Sequence, residues 1–300
     1  MIAAGIDLGG TKAEVQIFGT DWNIEARDRT QTPKDYDQLV KMLARQIAWV
    51  DEKVGRKIPI GIGAAGLINP ITGLALTANL PATGRPLPYD VNQAAGRKIS
   101  YINDCRAFGL SEAVFGAGFD YGVVMALNLG TGIGGGIVVD KKLLSGPTRT
   151  GGEFGHIAAP AYLLQQYSLP ILTCGCGRLG CFEAYISGLG MGRLAKIVLD
   201  RDLTPREIGA QKDLGARQVW NIWCSLTAEL LRSLCLTVDP DVIVLGGGMS
   251  QIPGVEGDLK TALKGDVIGD FGVPKITLAA GGNTSGARGA AFHAIMEVKK

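Results

Sequence analysis

Twice along this chain an apolar strand runs into a glycine turn that carries threonine, and leaves it as a second strand. Residues 2–7 read as strand, Gly9-Gly10 as turn and 13–18 as an alternating strand; 121–129, 130–136 and 137–140 repeat that order. DLGGTK at 7–12 and NLGTGIGGG at 128–136 therefore occupy equivalent points of two hairpins. The duplication constrains the fold more than any single element, because each copy of the plan must bury its own apolar face. It predicts an α/β protein of two related lobes facing each other across a central cleft.

The intervening pattern agrees with that plan. Residues 22–30 read as a third strand, 36–54 as an amphipathic helix, 58–64 as a strand ending in glycine, 91–97 as a short helix, 99–102 as a strand and 105–115 as a helix. Gly116-Ala117-Gly118 then breaks the pattern. After the second hairpin, 142–144 continues it briefly. A helix over 216–237, a strand over 242–245, the turn Gly246-Gly247-Gly248, a helix near 255–263, a strand over 275–278 and a last helix from about 285 follow.

Glycine accounts for 44 of the 300 residues and is gathered in turns, where backbone N–H groups can approach a ligand closely. Gly130, Gly132 and Gly135 match G-x-G-x-x-G, but a dinucleotide fingerprint must open a helix and here the chain continues as strand. The P-loop pattern is absent. What remains is a pair of hairpin turns, each offering amides and a hydroxyl, Thr11 and Thr131, to phosphate oxygens; the alternative is two tight turns that need glycine only for backbone conformation.

Three of the six cysteines, Cys174, Cys176 and Cys181, fall within CGCGRLGC, and His156 stands upstream in GGEFGH. That set can wrap a tetrahedral Zn²⁺ as a closed structural site with no open position for metal catalysis. Disulfides or unbonded core thiols are the alternative, although Cys-x-Cys is too tight for easy bridging and one thiol would be left over. The other three cysteines are scattered, which suits a reducing compartment and a cytoplasmic address. A net charge of +2 without basic clusters argues against nucleic acid, and no apolar run reaches the length of a membrane span. The expected partners are small molecules.

Over essentially the whole chain these motifs resemble the ROK kinases and regulators, sugar kinases of the actin-like ATPase (ribonuclease H-like) superfamily. DLGGTK resembles the first phosphate motif, LGTGIGGG the second, IVLGGG at 243–248 the adenosine-side turn, and GGEFGH with CGCGRLGCFEAY the signature and its zinc knuckle. ANLPATGRPL at 78–87 looks most like bacterial N-acetylglucosamine kinases. The resemblance implies a first lobe at 1–117 joined by the helix at about 285–300, and a second lobe at 118–284 with the knuckle over 156–181. It implies ATP and Mg²⁺ as cofactors beside structural Zn²⁺, and a homodimer.

It also assigns roles. Asp104, ending a strand in IND, is the candidate base for the sugar 6-hydroxyl, kept ionised by the helix start that follows; the alternative is a helix cap. Asn103, Glu153, His156 and Glu183 would hydrogen-bond sugar hydroxyls, with Asn79 and the backbone of Gly66 adding contacts. One nitrogen of His156 would bind zinc while the other meets a hydroxyl. Asp7 would neighbour the Mg²⁺ on ATP, and Gly9, Gly10, Thr11, Lys12, Gly130, Thr131, Gly132, Gly134, Gly246, Gly247 and Gly248 would line the nucleotide.

Two departures concern the sugar. Ala65 stands where these kinases often have proline, and Cys105-Arg106 where Ala-Asn is frequent. The expected reaction is phosphorylation of the 6-hydroxyl of N-acetylglucosamine, with glucose, N-acetylmannosamine or fructose as alternatives. A sugar-responsive regulator would need a helix-turn-helix, and DLGGTK begins too near the start for one.

Overall fold

In the computed structural model, residues 1–264, 268, 271–282 and 285–298 are described; the expected lobe boundary at 284 and the expected helix end at 299–300 lie outside them. The chain opens with β1 (Ala3–Leu8), β2 (Lys12–Phe18) and β3 (Ile24–Gln31), then α1 (Tyr36–Val54), β4 (Ile60–Ala64), β5 (Leu67–Ile68), β6 (Ala75–Leu76), α2 (Leu87–Ala95), β7 (Ser100–Asn103) and α3 (Asp104–Phe115). The plan then restarts with β8 (Val123–Leu129), β9 (Ile133–Val139) and β10 (Lys142–Leu143). Helices α4 (Ala161–Gln166), α5 (Glu183–Ile186), α6 (Gly188–Leu199), α7 (Pro205–Gly209) and α8 (Leu214–Val238) lead to β11 (Val242–Gly246), α9 (Val255–Lys264), β12 (Lys275–Leu278) and α10 (Ser285–Val298).

Two five-stranded mixed sheets have the orders β3-β2-β1-β4-β7 and β10-β9-β8-β11-β12. In the first, β1 pairs antiparallel with β2 and parallel with β4; in the second, β8 and β12 both run parallel to β11. By packing, the chain divides into two compact units. One is Met1–Phe119 with Gly136–Gly151 and the described part of Gly281–Lys300; the other is Asp120–Gly135 with the described part of Gly152–Ala280.

Local chemistry explains the elements. In α1, Leu39, Met42, Leu43, Gln46, Ile47 and Val50 form one buried stripe; the Asp35 side chain accepts from Gln38 N at the start, and left-handed Gly55 ends the helix. The helix expected at 91–97 begins earlier, at Leu87, because Pro88 fits a first helical turn, and stops at Gly96. The turn expected at 130–136 is shorter: β9 starts at Ile133, so Gly134 lies in a strand. Glycine is needed there for packing, since a Cβ on Gly135 would fall 1.9 Å from the Ala126 carbonyl oxygen. Helices α4 to α7 have no counterpart among the elements expected from sequence. α10 lies on β1, β4 and α3. A side chain on Gly5 would strike the Ala287 carbonyl at 1.8 Å, which is why this face of the sheet accepts a helix so closely. In the second unit, Trp220 and Trp223 of α8 stack with centroids 5.1 Å apart in the core. Among the described residues no helix is long and apolar enough to cross a membrane.

Candidate active site

Parallel strands gather ligand-binding groups at their carboxyl ends. In the first unit β1 ends beside β4 and β7, with Leu8 in register with Ala64 and Ala64 with Asn103. Asp104 follows as the first residue of α3. The helix cap is Asn103: its side-chain oxygen accepts from Arg106 N at 3.2 Å. The amide nitrogen of Asn103 donates to the Gly66 carbonyl at 3.1 Å and to Asp104 Oδ1 at 3.0 Å. Asn103 thus spends its donors tying the 63–66 loop to the candidate base. Gly66 has φ of 119°, and a Cβ there would lie 2.4 Å from the Leu76 carbonyl oxygen, so only glycine fits.

Asp104 Oδ1 also accepts from Cys105 N at 2.9 Å. Burial raises the pKa of this carboxyl, while hydrogen bonds from Cys105 and Asn103 lower it. Asp7 is pushed up to about 6 by burial first, then by the charges of Asp104 and Glu14, with Lys12 opposing. Gly286 of α10 seals it: a Cβ there would sit 3.1 Å from Asp7 Cγ.

The 9–12 turn is closed by Gly9 N donating to the Lys12 carbonyl at 3.0 Å. Its carbonyls are taken up by Thr32 and Lys34: the Thr32 hydroxyl donates to Gly9 O at 2.7 Å, Lys34 Nζ to Gly10 O at 3.0 Å, and Thr32 N to Thr11 O at 3.0 Å. The amides of Gly10 and Thr11 make no hydrogen bond among the described residues, and Thr11 and Lys12 are exposed. Asn79, also exposed, leans over this turn, since a Cβ on Gly10 would lie 2.7 Å from Asn79 Cβ.

The second unit repeats the device. Gly130 N donates to the Gly132 carbonyl at 3.1 Å, while Thr131 and Gly132 are exposed and their amides carry no hydrogen bond among the described residues. The Gly246-Gly247-Gly248 turn meets it: Gly247 has φ of 84°, and a Cβ there would strike the Leu129 carbonyl at 2.4 Å. Asn128, to which the sequence reading assigns no role, borders both turns; its sequence signal is its place at the head of NLGTGIGGG, equivalent to that of Asp7 in DLGGTK. Glu183 Oε2 accepts from Ile133 N at 2.9 Å, fixing the residue that follows the 130–132 turn.

The same unit holds the knuckle. Ligand atoms of His156, Cys174, Cys176 and Cys181 all lie within 4.8 Å of one another, and all six cysteines are free thiols. A tetrahedral zinc with ordinary bond lengths sets sulfur–sulfur edges of about 3.8 Å and sulfur–nitrogen edges of about 3.6 Å. Cys176 and Cys181 Sγ are 3.8 Å apart, and Cys174 Sγ lies 3.6 Å from His156 Nδ1. The residues present fit the ion. Burial pushes the Cys181 thiol up to about 12, reinforced by Cys176 and Cys174, and raises Cys174, while at Cys176 burial is outweighed by hydrogen bonds from the Arg178 backbone and the neighbouring thiols, which lower it; a cation among the sulfurs would draw all three toward thiolate. The other nitrogen of His156, Nε2, lies 3.9 Å from Glu153 Oε2. Cys174 Sγ also approaches Glu183 Oε1, at 3.8 Å, so the knuckle and the 130–132 turn share one carboxylate.

A doubled mixed sheet with a glycine-threonine hairpin at the head of each copy is the actin-like ATPase fold. The ROK family pattern matches residues 3–297, and the chain belongs to the ROK family. It is similar to the N-acetylgalactosamine kinase of Shewanella sp. (strain ANA-3), at 38% identity over 293 residues covering 96% of this chain and 95% of that protein. It is similar also to the N-acetyl-D-glucosamine kinase of Escherichia coli O9:H4 (strain HS), at 36% identity over 295 residues covering 96% and 97%. Among solved structures, the ROK hexokinase from Thermus thermophilus matches with a TM-score of 0.88 at 30% identity, covering 100% of this chain and 99% of that one.

Proposed function

We propose that this chain is an ATP-dependent kinase of N-acetylhexosamines, transferring the γ-phosphoryl group to the 6-hydroxyl, with N-acetylglucosamine as the leading acceptor. The observation that carries this reading is Asp104: a buried carboxyl of raised pKa at a strand-to-helix junction, oriented by Asn103 and Cys105. A carboxylate so held takes the 6-hydroxyl proton as that oxygen attacks the γ-phosphorus and the bond to the β-phosphate oxygen breaks, releasing ADP. Relatives named for N-acetylgalactosamine and N-acetylglucosamine share the 2-acetamido group and the primary 6-hydroxyl.

Each unit contributes a nucleotide turn, 9–12 and 130–132, whose unspent amides suit phosphate oxygens, with Gly246, Gly247 and Gly248 on the adenosine side. Magnesium carried on ATP supplies positive charge against the phosphates, and Asp7, crowded by Asp104 and Glu14, is the carboxylate that meets it. Asn103, Gly66 and Asn79 in the first unit, and Glu153, His156 and Glu183 in the second, are the sugar-binding residues of this reading. His156, Cys174, Cys176 and Cys181 hold structural zinc, which fixes the ring of His156.

The test is ADP release over a panel of N-acetylglucosamine, N-acetylgalactosamine, N-acetylmannosamine, glucose and fructose, with wild type and Asp104→Asn. N-acetylglucosamine gives the highest kcat/KM, and the variant loses about 10²- to 10⁴-fold in kcat. Equal rates for the two proteins would remove Asp104 from the chemistry, and another sugar at the head of the panel would reassign the acceptor.

A further inference from the structure

The first turn of α3 ties down two loops, one through the residue before Asp104 and one through the residue two places after it. Asn103 holds the 63–66 loop by the Gly66 carbonyl. Arg106 reaches the other way: its Nε donates to the Gly151 carbonyl at 2.8 Å and its Nη2 to the Arg149 carbonyl. The arginine is only 6% exposed, and its own amide is the one that Asn103 Oδ1 caps, so both ties leave from one hydrogen-bonded joint. Gly136 of β9 allows the hairpin to come this close, since a Cβ there would lie 3.3 Å from Arg106 Cα. Residues 136–151 pack with the first unit, so the tie lies within it.

The loop that Arg106 holds has little shape of its own. Every residue from 145 to 151 is exposed, and the stretch contains two glycines and no strand or helix. Free of outside contacts, a segment of this composition samples many conformations. Arg149 moreover is held at φ of 56°, a backbone state that a residue with a side chain enters at a cost. Two charge-assisted hydrogen bonds from one planar guanidinium offset that cost and fix the loop at both carbonyls. The loop matters because of what it walls. Ser145 and Arg149 line, with Gly66, Asn103 and Arg106, a single cavity of about 130 Å³, and the chain runs on from Gly151 to Glu153. One side of that cavity therefore hangs from Asn103 and the other from Arg106. We propose that Arg106 is a positioning residue, which holds the 145–151 loop in the shape that receives the acceptor. The inference rests on the kinase reading, which places Gly66, Asn103 and Glu153 at the sugar, and adds to it the side chain that fixes the opposite wall.

The carbonyl that trypsin attacks at Arg149 is the one that Arg106 Nη2 holds, so cleavage between Arg149 and Thr150 reports the tie without reference to activity. The experiment compares wild type, Arg106→Ala and Arg106→Lys by the rate at which a fragment beginning at Thr150 appears, and by KM and kcat for N-acetylglucosamine and ATP. In Arg106→Ala the cut should come about tenfold faster, KM for the sugar should rise about tenfold, and KM for ATP should stay within about twofold. Added methylguanidine should reverse both changes, and Arg106→Lys, which keeps the charge but not the fork, should fall between. If Arg106→Ala fails to fold, Arg106→Lys carries both readings. An unchanged rate of cutting after Arg149 would overturn the tie. Cutting that speeds equally at every lysine and arginine, and that methylguanidine does not slow, would overturn the proposal too, since it marks a residue that holds the fold and not the loop. Faster cutting at Arg149 with both KM values unchanged, or raised alike, would overturn the role in receiving the acceptor. A wild type inactive on every hexose would remove the kinase reading and the acceptor role with it, while the cleavage rates still decide the tie.

Discussion

Asp7 is held in a state that costs the free protein stability, and the cost can be worked out. Its carboxyl is raised from an ordinary 3.8 to about 6 by burial and by the charges of Asp104 and Glu14. A carboxyl whose pKa is higher in the folded chain favours folding below its unfolded pKa and loses that contribution as pH rises through the folded value. Between those limits the loss reaches about 3 kcal/mol, because a tenfold change in proton affinity is worth roughly 1.4 kcal/mol. Asp7→Asn keeps the shape and removes the charge. In the nucleotide-free protein the variant should be the more stable, by about 1 kcal/mol at pH 4.5 rising to about 3 kcal/mol at pH 7.5. In melting temperature that is a gain of several degrees at the higher pH, at about 2–4 °C per kcal/mol for a chain of this size class. Calorimetric scans at pH 4.5, 5.5, 6.5 and 7.5, without nucleotide or Mg²⁺, measure it. If Asp7 meets Mg²⁺ as proposed, the same variant should also lose activity, since stability would there be given up for function. A stability gap that stays constant with pH, or a variant less stable than wild type at pH 7.5, would refute the electrostatic account of Asp7.

The remaining predictions concern the loop and the knuckle. Gly66→Ala must carry a Cβ at φ of 119° against the Leu76 carbonyl, which costs about 1–3 kcal/mol of local strain; KM for the sugar should rise more than KM for ATP, and equal changes in the two would detach this loop from the acceptor. Protein purified without chelator should carry about one zinc per chain by metal analysis, and Cys181→Ser should lose it along with several degrees of melting temperature. Metal content well below one, or an unchanged melting point in the variant, would contradict the knuckle.

How much of this is legible in the sequence follows from which physical signals are local. The paired hairpins are, because alternation on either side of a glycine turn survives in a short window, and both turns close by the same glycine N–H reaching forward. The Cys and His set is, because its spacing marks four candidate ligands, and the structure brings their ligand atoms within 4.8 Å of one another. The region from α4 to α7 is not: three of those helices have four to six residues, fewer than two turns, and α6 begins GLGMG, where glycine hides the helical period. Burial is also invisible in a string. The helix start beside Asp104 is legible in the string, whereas the burial that raises the pKa of its carboxyl is not. Asn103 reads as a sugar contact, yet its donors are already committed to Gly66 and Asp104, so what it offers a ligand is mainly the orientation of its neighbours.

Glu183 is the side chain through which an ion in the knuckle would act on this part of the chain. One of its oxygens holds Ile133 N, just past the 130–132 turn, while the other is approached by the Cys174 thiol. A thiolate has no proton to donate, so ligation of an ion by Cys174 ends that contact and leaves Oε1 free to accept from a hydroxyl, without disturbing the hydrogen bond that sets the turn. His156 obeys the same logic, with Nδ1 turned to the sulfurs and Nε2 toward Glu153. The ion's effect on the sugar would then pass through two side chains whose far atoms it orients or unmasks. Chelation should therefore raise KM for the acceptor before it unfolds the unit, and a loss of sugar affinity seen only together with unfolding would reduce the knuckle to a staple.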